Sequence, residues 1–137
     1  MTAGAPIHVV ATTIPGAREA LATAAALAEG LDSRIHVIAA QSFPKKRPLE
    51  SPFAPLQVFV TRIKMLVEAG SARARIIPCV YKHLMDITQL LPAEGFVIIS
   101  GRSGRWWPSP EQRFAHELQG LGYHVVFVHT ADQSVDL

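Results

Sequence analysis

Cysteine is nearly absent: Cys79 is the single one in 137 residues. One thiol excludes a disulfide framework and any cysteine-rich zinc site, and it fits a reducing compartment. Charge is sparse and balanced, with 13 Lys and Arg against 11 Asp and Glu, a net +2. Two charges are too few for a nucleic-acid footprint despite a pI near 9.0. No apolar run approaches the roughly 18–20 residues of a membrane span. The longest, Ala20 to Ala28, is Ala-rich and broken by Thr23. A basic segment followed by an apolar one is missing at the N-terminus, so no secretory signal is expected, and the cytoplasm is the expected compartment. Internal repeats are missing as well.

What remains is an apolar chain, 49% by the AVILMFWYC count. That excludes intrinsic disorder, and the length suits one domain of roughly 100–150 residues. Residues 1–137 are therefore read as a single unit.

Strand-like and helix-like patterns alternate five times, which predicts an α/β domain with a parallel sheet. The β-branched run Ile7–Thr12 is the first strand, ended by Thr13, Pro15 and Gly16. From Ala17 to Glu29 the spacing of Leu21, Ala24, Ala25 and Ala28 is helical, with Gly30 as a left-handed stop. Arg34–Ala40 is the second strand, followed by Phe43–Pro55, whose four prolines exclude regular structure. Leu56, Phe59, Val60, Ile63 and Val67 make a second helical stripe, with Pro55 in its first turn.

Arg73–Val80 reads as strand three, and Pro78 points to a sheet edge. His83–Leu91 is a short helix stopped by Pro92. The wholly apolar run Phe96–Ser100 belongs to a strand buried on both faces. Ser109, Pro110 and Gln112 form a capping box for the last helix, whose buried face is Phe114, Leu118 and Leu121, with Gly122 as its stop. Tyr123–His129 is strand five.

In such a domain the ligand crevice lies at the carboxyl ends of the strands, where strand order reverses. The candidate ligand residues are Thr12, Thr13 and Ala40, with Gly101, Arg102, Ser103, Gly104, Arg105 and Ser109 from the loop after strand four. Two glycines let backbone N–H groups converge on an anion, a helix N-terminus adds positive potential, and Arg102 and Arg105 supply charge-assisted hydrogen bonds. Trp106 and Trp107 are adjacent, so one is expected on the core and one outside. His8 and His36 fall together near the N-terminal ends of strands one and two, as core or edge histidines. No convergent set of ligands or acidic partner suggests a metal site. Cys79, beside Pro78, reads as a small buried hydrophobe, and Lys45-Lys46-Arg47 as a solvated loop tip. No Ser/His/Asp set supports hydrolytic catalysis, so no catalytic residue is assigned.

The element order, the Ala-rich first helix with Ala20-Leu21, and Gly101-x-x-Gly104 after Val97-Ile-Ile-Ser100 resemble the universal stress protein family. The resemblance covers Ile7 to His129. It implies a three-layer α/β/α domain with strand order 3-2-1-4-5, Ile7–Thr12 and Val97–Ser100 lying side by side at the centre. Nucleotide-binding members carry an aspartate at the end of strand one and a G-x2-G-x9-G-S/T phosphate motif. Here Thr12 stands at the aspartate position, and the expected Gly-Ser/Thr falls on Phe114-Ala115. The resemblance thus implies a non-enzymatic stress-response or regulatory module that binds a small anionic or nucleotide ligand weakly, with no resident cofactor. The rivals are an ATP-binding, slowly hydrolysing protein and a cytosolic domain regulating a membrane transporter, the latter suggested by Trp106–Glu111. Members often dimerise through the last strand, which makes Tyr123, Val125, Val126, Phe127 and Val128 the candidate homodimer interface.

Overall fold

The computed structural model describes residues 6–31, 34–42, 53–70, 73–92, 95–102 and 106–130. Their strands are β1 (Ile7–Ala11), β2 (Ile35–Ser42), β3 (Ala74–Tyr81), β4 (Phe96–Gly101) and β5 (His124–His129). Between them run helices α1 (Ile14–Leu31), α2 (Phe53–Ala69) and α3 (Pro110–Gly120), with a 3₁₀ helix over Leu84–Leu90. The five strands form one parallel sheet in the order β3-β2-β1-β4-β5. β1 and β4 pair at Ile7 with Phe96 through Val10 with Ile99, which puts the two most apolar strands side by side. Each is almost wholly buried, as a central parallel strand covered on both faces must be.

The period of two along each strand splits the core into two layers. Ile7, Val9, Ala11, Val37, Ala39 and Ile98 face α1 and α2, where Ala17, Ala20 and Ala24 bring α1 close to the sheet. Val10, Ile38, Ala40, Val97 and Ile99 face α3 and the 3₁₀ helix, against Ile87, Phe114 and Leu118. α1 lies over β1 and β4, α2 over β2 and β3, and α3 over β4 and β5.

Local chemistry moves several boundaries. α1 begins at Ile14, not Ala17, because the Thr13 hydroxyl accepts from Gly16 N at 3.1 Å and its carbonyl from Ala17 N at 2.9 Å. Thr13 is an N-cap, and Pro15 needs no donor in the first turn. Gly30 is not a left-handed stop: α1 continues through it to Leu31. The segment before Pro92 winds as 3₁₀, with Asp86 N bonded to His83 O and Leu91 N to Thr88 O; so short a piece favours the tighter i→i+3 ladder. The Asp86 carboxylate holds its start by accepting from His83 N at 3.1 Å. Leu121 is 63% exposed rather than part of the buried face of α3. The helix ends at Gly120, and Leu121 caps it, turned beyond the last packed ridge, before Gly122 reverses the chain at φ +98°. Pro78 does lie at the sheet edge, on β3.

Candidate functional site

Parallel strands deliver Thr12, Thr13, Ser42, Gly101 and Arg102 to one end of the sheet, the end where the order reverses between β1 and β4. Of the predicted residues Thr12, Thr13, Ala40 and Gly101 lie there, and their polar groups bond within the protein itself. The half-buried Thr12 hydroxyl donates to the Glu111 carboxylate, Oγ1 to Oε2 at 3.2 Å across 99 residues of sequence. Gln41 Nε2 donates to Thr12 O at 3.0 Å and to Ala40 O at 2.9 Å. Ala40 is fully buried, its methyl packed in the layer beneath α3. Thr13 is engaged as the α1 cap. Two side chains, Gln41 and Glu111, thus hydrogen-bond to the end of β1.

Glu111 reaches this position because α3 starts early. Ser109 accepts from Gln112 N at 3.1 Å as its N-cap, and Pro110 occupies the first turn, which realises the serine half of the predicted capping box. The first turn then lies directly on the end of β4. A Cβ placed on Gly101 would fall 2.7 Å from Glu111 Cβ and 3.3 Å from both Glu111 Cγ and Phe127 Cζ. Gly101 therefore makes room for α3 rather than opening its backbone to an anion. Gly101 O accepts from Thr130 N at 3.0 Å, which further ties down the strand end. Arg102 is exposed beside it. Ser103, Gly104 and Arg105 lie outside the described residues, as does Lys45-Lys46-Arg47.

The electrostatics follow from the carboxylate. Burial first, and then the charges of Glu111 and Cys79, push the Tyr81 phenol up from its ordinary value. Tyr81, Lys82, His83, Arg113 and Glu111 share a cleft of about 500 Å³ between the end of β3 and α3. A carboxylate fixed at the reversal point repels phosphate, and Thr12 has no charge with which to receive a ribose.

Other candidates resolve differently. His8 and His36 are register partners on β1 and β2, edge to face with ring centroids 4.9 Å apart, near the amino ends of the strands. His8 is 5% exposed, and burial first, His36 second, lower its imidazole to about 4. Among the described residues no three His, Cys, Asp or Glu side chains gather where a metal ion could be held. Burial and then Asp86 push the Cys79 thiol up, the reverse of an activated nucleophile. Trp106 and Trp107 depart from the expectation that one packs inward: they are 82% and 83% exposed. On β5, Tyr123, Val125, Phe127 and Val128 are half-buried and Val126 is 36% exposed. Among the described residues β5 pairs only with β4.

The sequence alone did not single out Gln41 or Glu111. Glu111 is a commonplace acid in a first helical turn, and only tertiary folding sets it against Thr12.

No protein-family model matches this sequence, and no curated protein matches it either. Solved structures do. A universal stress protein in complex with cAMP is similar with a TM-score of 0.58 and 13% identity, over 95% of this chain and all of that one. A universal stress protein from Archaeoglobus fulgidus is similar with a TM-score of 0.53 and 16% identity, over 93% of this chain and 98% of that one. The chain carries the fold of the universal stress proteins.

Proposed function

We propose that this protein is a non-enzymatic stress-response or regulatory module of universal stress protein type, whose crevice takes nucleotides or small anions only weakly. The observation that carries this reading is the Thr12–Glu111 hydrogen bond, which spends the strand-one hydroxyl and places a negative charge where phosphates would approach. One similar structure is a complex with cAMP, so adenine nucleotides are the ligands to try. The place of β5 at the end of the sheet among the described residues supports a homodimer paired through that strand, because an apolar edge strand invites a second copy.

Calorimetric titration with ATP and with cAMP tests the crevice. Wild-type protein is expected to bind either with a Kd weaker than about 100 µM, some −5.5 kcal/mol. Glu111→Gln, which removes the charge but keeps the shape, is expected to tighten ATP severalfold. Low-micromolar binding by the wild type would favour the ATP-binding, slowly hydrolysing alternative and overturn this one.

A further inference from the structure

α1 and α2 share one face of the sheet, α1 over β1 and β4 and α2 over β2 and β3. Ala17, Ala20 and Ala24 take α1 down onto the strands. Its flank toward α2 carries Arg18, Leu21, Ala22 and Ala25, a row at i, i+3, i+4 and i+7 along one helix edge. α2 faces it with Leu66, Ala69 and Gly70, spaced i, i+3 and i+4, and Ala74 of β3 adds to the lining. Alanine and glycine are too short to fill the space between neighbouring helices, and a groove of about 360 Å³ remains there. Among the described residues, a Cβ placed on Gly70 would meet only the Leu66 and Val67 carbonyls, at 3.7 Å, so nothing reaches across from α1. Leu21, Leu66 and Val67 stay half-buried along the groove.

The chemistry of the walls selects the occupant. They are apolar apart from one formal charge, the exposed Arg18 guanidinium. Among the described residues no acid lines the groove: Glu19, Glu29 and Glu68, the acids of the two helices, are exposed outside it. No ion pair between them and Arg18 occurs among the described residues. Apolar clefts of roughly 300–1,000 Å³ with a few placed polar groups are the usual form of small-molecule sites. At the roughly 30 Å³ that a water takes in the liquid, 360 Å³ admits about a dozen non-hydrogen atoms. A guanidinium donates two parallel hydrogen bonds to a carboxylate, and its fixed charge favours an acid over a neutral or cationic head.

We propose that the groove between α1 and α2 binds a small monocarboxylic acid with an apolar tail, its carboxylate on Arg18 and its tail between Leu21, Ala25 and Leu66. The groove lies on the face of the sheet opposite α3, so the proposal is independent of whether the crevice binds a nucleotide.

The test titrates full-length protein with butanoate, hexanoate, octanoate and decanoate by calorimetry, with methyl NMR spectra to locate the contact. Affinity is expected to rise roughly threefold to fourfold for each added methylene until the groove is full. The largest shifts are expected at the Leu21, Leu66 and Val67 methyls. Arg18→Gln is expected to weaken octanoate about fivefold, the upper end for an exposed ion pair, and to leave octanol unchanged. Ala25→Leu, which fills the groove with its own side chain, is expected to flatten the chain-length dependence, with a circular dichroism melt no lower than that of the wild type. No heat and no methyl shift at millimolar decanoate overturns the proposal. So does octanol binding as tightly as octanoate, or binding that neither variant changes, which places the acid elsewhere. Groove methyls that shift with protein concentration alone would assign the groove to a second copy and overturn it as well.

Discussion

Acidification should destabilise this protein through one residue, His8. Its imidazole is 5% exposed on the central strand β1, edge to face with His36, and burial followed by the His36 charge holds it at about 4 against an ordinary 6.5. The folded state thus binds the proton less well than the unfolded chain. Stability from His8 is fully present above pH 6.5, falls as pH drops between 6.5 and 4, and levels off below 4. A difference of about 2.5 pKa units, at about 1.4 kcal/mol each, makes the whole loss about 3.5 kcal/mol. About 2 kcal/mol of that should already be lost at pH 5. This is a large share of the 5–15 kcal/mol typical of a domain. Urea unfolding followed by circular dichroism at pH 8 and pH 5, on wild type and His8→Phe, isolates the term. Phenylalanine keeps an aromatic ring beside His36 and cannot titrate. The wild type should lose about 2 kcal/mol more than the variant between the two pH values. Equal losses would refute the reasoning, as would an NMR titration in which the His8 ring protonates near pH 6.5.

Three further substitutions probe the scaffold and its edge. Gly95→Ala should cost more than about 2 kcal/mol in urea unfolding, since φ is +103° and a Cβ there would collide with the Pro6 carbonyl oxygen. Ser109→Ala should cost about 1 kcal/mol and lower the thermal midpoint by a few degrees, because it removes the Oγ that caps α3 at Gln112 N. Val126→Lys, on the edge strand, should leave the monomer folded and dissociate the proposed β5 dimer in light scattering, by burying like charges near the two-fold axis. A wild-type protein that is monomeric at tens of micromolar would end the dimer proposal.

Much of the fold was legible because the core residues speak through local periodicity. The apolar runs at Ile7, broken only by His8, and at Phe96 mark strands covered on both faces, and they form the central pair. The Ser109-Pro110 start of α3 was legible for the same reason, as a cap acts within one turn. Where local and tertiary terms compete, the pattern was less informative. Gly30 is a poor helix residue, yet α1 runs through it; Leu121 has helical spacing but sits one residue past the last packed turn. The Trp pair was misjudged because adjacency in sequence says nothing of what each ring meets in the fold, where both are exposed. The site was least legible of all. The missing aspartate at Thr12 and the early α3 cap were both visible in the sequence. Their joint consequence, a carboxylate hydrogen-bonded to Thr12 from 99 residues away, exists only in the folded chain.

The central claim is the proposed weak binding of nucleotides at the reversal point between β1 and β4, where Glu111 accepts from Thr12. The most direct measurement is mass spectrometry of small molecules released when freshly purified, full-length protein is denatured. A crevice that binds nucleotides only weakly predicts no adenine nucleotide above the level in a control protein prepared in parallel. Nucleotide released in a near one-to-one ratio with the chain would contradict the account, because only an open site of high affinity carries its ligand through purification.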